Sequence, residues 1–146
     1  MEKRKSKAIE FFRQGYNCAQ SIIGAFEDQL GNNTYMLMDM AAGFGAGMGR
    51  LQKTCGAVTG AFIVISSMNN PNLPGARDRL DQDIQDFAAR FKQHFGELNC
   101  KDLIQYDLNS ETERQRAHEE QAFEKKCHKY IEFSIETLEK LLSKEQ

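Results

Sequence analysis

The sequence predicts an all-α fold, a compact multi-helix bundle of about six to seven helices around a central apolar helix at about residues 55–68. Three observations predict it. Apolar residues recur at helical spacing along most of the chain, and β-branched alternation is absent. Helix stop and start signals follow one another in a consistent order. Both prolines fall in one segment, NNPNLPG at 69–75, which is the clearest loop.

The first helix is expected from about Glu2 to Gln14, with Ile9 and Phe12 on one face. Gly15 can end it in the left-handed conformation, and Asn17 can cap the next. That second helix carries Ala19, Ile22, Ile23, Phe26 and Leu30 as one stripe, and Gly31 ends it. Thr34 is the expected cap of a third helix, TYMLMDMAAGF. The glycine-rich GFGAGMGR that follows reads as a break or loose turn, because glycine inside a helix costs roughly 1 kcal/mol per residue. Thr54 is expected to cap the fourth helix, CGAVTGAFIVISSM, which is apolar on most sides and therefore central. A fifth helix follows the proline loop, from about Gly75 to Phe95, with Leu80, Ile84, Phe87, Phe91 and Phe95 on its core face. Asn99 can cap a short helix, CKDLIQYD. Ser110 and Glu113 form a capping-box pattern for a last helix bearing Phe123, Cys127, Tyr130, Ile131, Leu138 and Leu141 on one face. The tail KLLSKEQ is expected to fray.

The chain has 146 residues, with 40% apolar residues and a net charge of -2. This suits one domain, 1–146, large enough to bury a core without disulfides or metal. The charge balance leaves no basic excess for phosphates, so nucleic acid is not an expected partner. The charged start MEKRKSKAIEFFRQG is followed by no apolar run of signal length, and the longest apolar stretch, about 56–68, is short of the ~20 residues a membrane span needs. A cytoplasmic protein that does not itself span a membrane is expected.

Four cysteines in such a chain point to reduced thiols, transient disulfides or metal ligation. Cys18, Cys55 and Cys100 each follow a cap candidate: Asn17, Thr54 and Asn99. A thiol on the first helical residue meets unsatisfied amides and the positive end of the helix dipole, which favour its thiolate. Cys127 sits inside the last helix on the apolar face, where a resolving or pairing role suits it. No CxxC, CxxCH or zinc-ribbon spacing occurs. A metal site with Cys18, Cys55, Cys100 and Cys127 as ligands, for zinc or an iron–sulfur cluster, is the alternative reading; thiol redox chemistry requires no cofactor. A second alternative is a helical module that binds a small molecule or partner and uses its cysteines as core residues.

In order, a lone Cys18, then CGAVTGA from Cys55, then single Cys100 and Cys127 resemble the bacterial C_GCAxxG_C_C family of redox-active proteins. The resemblance covers nearly the whole chain. It implies thiol-based redox chemistry at the four cysteines, as thiol–disulfide exchange or electron transfer. It also implies a redox protein or a membrane transporter as partner. Gly56 and Gly60 share a helix face, so they suit either close helix packing, the favoured reading, or the approach of a flat cofactor.

Other features carry less. GFGAGMGR is neither a dinucleotide fingerprint nor a P-loop. Arg50 and Lys53 can stabilise a thiolate, but solvated charge is the simpler reading. Met36, Met38 and Met40 read as core filler before they read as a copper site. His94, His118 and His128 have no metal spacing, and His118 and His128 are expected to be exposed.

Overall fold

The computed structural model describes residues 2–143. Among them the regular elements are helical, and the only sheet-like feature is an isolated antiparallel bridge between Thr54 and Asn99. The elements are α1 (Glu2–Arg13), α2 (Cys18–Ala25), α3 (Glu27–Leu30), α4 (Thr34–Met40), α5 (Gly45–Met48), α6 (Gly56–Met68), α7 (Ala76–Phe95), α8 (Cys100–Ile104), α9 (Glu111–Glu119) and α10 (His128–Ser143).

The core is built where α2, α6, α7 and α10 meet. α6 contacts α2, α7 and α10, as expected of the central apolar helix. Ile22, Ile23, Val58, Val64, Phe87, Phe91, Ile131, Ile135 and Leu138 are fully buried there. α2 and α6 approach unusually closely. A Cβ on Gly60 would lie 2.8 Å from both Cα and the carbonyl oxygen of Ala19. Only glycine permits that approach, so the shared face of Gly56 and Gly60 serves helix packing first. Ion pairs fasten α1 to its neighbours: Arg4 to Asp28 (2.6 Å) and Glu139 (3.4 Å), Lys7 to Glu27 (2.9 Å), and Lys5 to Glu136.

The cap at Asn17 is as expected, with a full capping box in which its side chain accepts from the Gln20 amide and Gln20 accepts from the Asn17 amide. Other expectations need correction. Cys55, not Thr54, is the N-cap of α6, because Thr54 is drawn into the bridge with Asn99. Asn99 precedes α8 but makes no side-chain cap bond. α8 stops at Ile104, where Gln105 turns left-handed. α4 ends at Met40 and a 3-10 turn, Ala42–Phe44, follows. Its methionines are sorted opposite to their sharing of faces: Met38 is buried, while Met36 and Met40 are 57% and 69% exposed. The expected last helix is two helices. Gln121, at φ 57°, breaks it, and a π-helical turn, Phe123–Cys127, leads into α10. Ser110 caps α9 through the Glu113 amide, but the Glu113 carboxylate accepts from Asp107, so the capping box is half formed. Residues 144–146 of the tail lie outside the described residues.

GFGAGMGR is not loose. Ala46, Gly47, Met48, Gly49 and Arg50 all have φ between 52° and 68°, a left-handed turn in which α5 takes part. Each non-glycine residue there costs roughly 1–2 kcal/mol. Backbone hydrogen bonds from Gly49 to Gly43 (2.8 Å), Gln52 to Ala46 (3.2 Å) and Lys53 to Gly47 (3.0 Å) offset the strain. No described helix is long and apolar enough to cross a membrane.

Candidate functional site

Four chain segments deliver one cysteine each to a single cavity of about 170 Å³. Cys18 starts α2, Cys55 caps α6, Cys100 starts α8, and Cys127 closes the π-turn before α10. All four are free thiols and only 6–9% exposed. Each placement has a local cause. The Asn17 capping box aims Cys18. Cys55 and Cys100 are tied by the short antiparallel pairing around Thr54 and Asn99, in which the Cys55 amide donates to Leu98 (2.8 Å) and the Cys100 amide to Lys53 (2.7 Å). Cys127 is held by the clamp of its helix on α8: Tyr130 donates its hydroxyl to the Leu103 carbonyl (2.9 Å), and Lys126 donates to the Ile104 carbonyl (2.9 Å).

The thiols differ in their surroundings. The neighbouring Cys127 thiol, with burial, pushes the Cys18 thiol well above its usual range. Burial also drives Cys55 up, aided by the charge of Cys18 and opposed by the amides of Ala57 and Val58 at the start of α6. Cys100 is pushed by burial to about 11, with the Gln52 amide pulling the other way. Tyr130 is raised to about 12 by burial and then by Cys127, Cys55 and Cys100.

The expectation that helix N-termini acidify Cys18, Cys55 and Cys100 is therefore overturned. The amides are present, but an apolar enclosure penalises the thiolate more than one helix turn favours it. Cys127 is as exposed as Cys18 and Cys100.

Two residues of the site escaped the sequence reading as such. Gln52 is 4% exposed and left-handed at φ 57°. Its amide nitrogen donates to the Tyr106 carbonyl (2.8 Å) and lies 4.0 Å from the Cys100 sulfur, while its oxygen accepts from the Leu108 amide (2.9 Å). Nothing in GRLQKTC signals this, because the side chain turns inward only on a left-handed backbone. Tyr130 was legible as a core residue one turn beyond Cys127, but not as a neighbour of three thiols.

Gly56 lines the cavity, whereas a Cβ on Gly60 would meet the backbone of Ala19, so Gly60 serves the close packing of α6 on α2. Arg50 and Lys53 are exposed and do not line it. His94 and His118 are exposed, while His128 is half-buried against the Phe12 ring. Among the described residues no group of three or more Cys, His, Asp or Glu is placed to hold a metal ion.

Fold and site together define a helical protein organised around a buried four-thiol cavity. The chain belongs to the family described as "Putative redox-active protein (C_GCAxxG_C_C)", whose model matches residues 16–141 and so takes in all four cysteines. No curated protein and no solved structure matches the chain.

Proposed function

We propose that the protein is a thiol-based redox protein whose two-electron couple is the Cys18–Cys127 dithiol and its disulfide. The observation that carries this reading is the convergence of all four cysteines on one cavity, in which Cys127 is the neighbour that most strongly raises Cys18. Thiol–disulfide exchange needs two sulfurs within bonding reach and an attacking thiolate. Cys18, raised well above its usual range, keeps its proton, which leaves Cys127 as the proposed attacking sulfur of the couple. The roles suggested by sequence position, Cys18 as attacker and Cys127 as resolver, are thereby exchanged.

In the proposed cycle the Cys127 thiolate attacks one sulfur of a substrate disulfide. That S–S bond breaks, and the leaving thiolate takes up a proton. Cys18 then loses its proton and attacks the Cys127 sulfur of the mixed disulfide, releasing the second substrate thiol. The protein dithiol is oxidised by two electrons, and one disulfide becomes two thiols. Cys55 and Cys100, tied by their backbone pairing, form the second pair. The family resemblance makes a membrane transporter the proposed partner; a redox protein, the other partner it implies, would need one of these buried sulfurs to open to it.

The test is equilibration of the purified chain with mixtures of reduced and oxidised dithiothreitol, acid trapping, alkylation and peptide mapping. A reversible Cys18–Cys127 disulfide, abolished in Cys18→Ser and in Cys127→Ser, is the expected result. Four thiols that stay reduced across the whole range would overturn the reading.

A further inference from the structure

We propose that the thiols act on a small, uncharged sulfur compound, a short dialkyl disulfide, and not on a protein disulfide or a charged peptide disulfide. The inference rests on the redox reading above and names the substrate class of the same site.

Three observations carry it. The first is access. Every cysteine is at most 9% exposed, so no sulfur stands out from the surface where the disulfide of a folded partner can reach it in line. Exchange requires the attacking sulfur, the attacked sulfur and the leaving sulfur to meet, which a buried thiol permits only to a molecule that enters.

The second is size. The cavity holds about 170 Å³. A dry engineered cavity of roughly 150 Å³ takes benzene. A disulfide with one- or two-carbon arms fits such a space; a peptide does not.

The third is polarity. No charged side chain lines the cavity. Its two polar side chains other than thiols are already engaged. Asn17 uses its oxygen on the Gln20 amide (2.8 Å) and its nitrogen on the carbonyls of Ala41 (3.2 Å) and Ala42 (3.0 Å). Tyr130 uses its hydroxyl on Leu103 (2.9 Å). A carboxylate or ammonium entering here would lose its water and find no partner, which is strongly unfavourable. Sulfur and short alkyl groups lose little on entry and gain contact with the thiols and the side chains of Leu103, Leu108 and Phe123.

The reaction balances as before. One neutral disulfide enters, its S–S bond breaks, the Cys18–Cys127 bond forms, and two small thiols leave carrying the two protons.

The experiment uses the full, reduced chain and three methanethiosulfonates of similar reactive group: the neutral methyl reagent, the anionic sulfonatoethyl reagent and the cationic trimethylammonioethyl reagent. Each rate at one pH is divided by the rate of the same reagent with 2-mercaptoethanol. The neutral reagent is expected to exceed both charged ones by on the order of 100-fold, and the preference is expected to vanish in denaturant. In parallel, dimethyl disulfide is expected to oxidise Cys18 and Cys127 while oxidised glutathione leaves them reduced. Normalised rates within about threefold of one another, or equal oxidation by glutathione disulfide, overturn the proposal. The two readings fail separately. Equal oxidation by both disulfides sinks the substrate class and leaves the redox couple standing. Preference for the neutral reagent without reversible disulfide formation sinks the couple and leaves the cavity's selectivity standing.

Discussion

At the scale of single residues, the site depends on contacts that are narrow in tolerance. Gln52 satisfies two buried backbone groups, the Tyr106 carbonyl and the Leu108 amide, and is the one side chain that draws the Cys100 thiol downward. Gln52→Leu is expected to cost about 1–3 kcal/mol through the orphaned groups. It should also slow alkylation of Cys100 at fixed pH, by moving its titration further up. Iodoacetamide rates resolved by peptide mass, with a urea melt on the same sample, measure both effects; an unchanged Cys100 rate would remove Gln52 from the site. Gly60 is the packing counterpart. Gly60→Ala places a methyl group 2.8 Å from the Ala19 backbone. An overpacking cost of about 1–3 kcal/mol is expected in urea melts, because backbone atoms of a helix have little room to yield.

At the scale of elements, the cysteines are aimed by short-range devices that differ from one segment to the next. α2 relies on its capping box. Asn17 also reaches the carbonyls that close α4, so one side chain holds both the start of α2 and the turn beyond it. Asn17→Ala is expected to cost about 1–2 kcal/mol and to quicken alkylation of Cys18 more than that of Cys100, since the first turn of α2 loosens while α8 keeps its clamp. Equal acceleration of both thiols would show that the cap acts only through global stability. The left-handed turn at 46–50 has a different logic. Strain there is tolerated because Gly47 packs against the backbone of Gln52 and Lys53, where a Cβ would lie 2.5 Å from the Lys53 amide nitrogen. That turn sets Ala46 and Gly47 in the cavity wall and carries Gln52 inward.

At the scale of the whole molecule, burial of the thiols links folding to pH. Cys18, Cys55 and Cys100 are all raised in the folded state, so they keep protons at a pH where the unfolded chain has released them. The unfolded state then binds fewer protons, and stability falls as pH rises. The contribution is complete below about pH 9, the ordinary thiol value, and for Cys100 is spent above about 11. Each such thiol adds a slope of up to about 1.4 kcal/mol per pH unit inside its window. Urea midpoints measured from pH 7 to 11 should decline above 9, and Cys100→Ala should flatten the decline. A wild-type curve no steeper than that of the variant would contradict the assignment.

Much of this architecture was legible in one dimension. Helical periodicity announces α1, α2, α6, α7 and α10, and Gly15, Gly31 and Gly96 mark ends by taking φ values that other residues resist. The two prolines mark the loop before α7, and the order of the cysteines around CGAVTGA announces the family. Those signals are local, or repeat with the period of one helix, so a string of residues can carry them. Only the tertiary structure decided the rest. That Cys18 and Cys127 reach one cavity follows from the packing of separate segments, and no spacing encodes it. The break at Gln121 and the inward turn of Gln52 depend on left-handed residues, and for Gln52 the strain is offset by distant partners at Tyr106 and Leu108. The state of the thiols was decided in the same way. A helix start favours a thiolate in any sequence, but an apolar enclosure built from four separate segments opposes it more strongly, and enclosure exists only once the chain has folded.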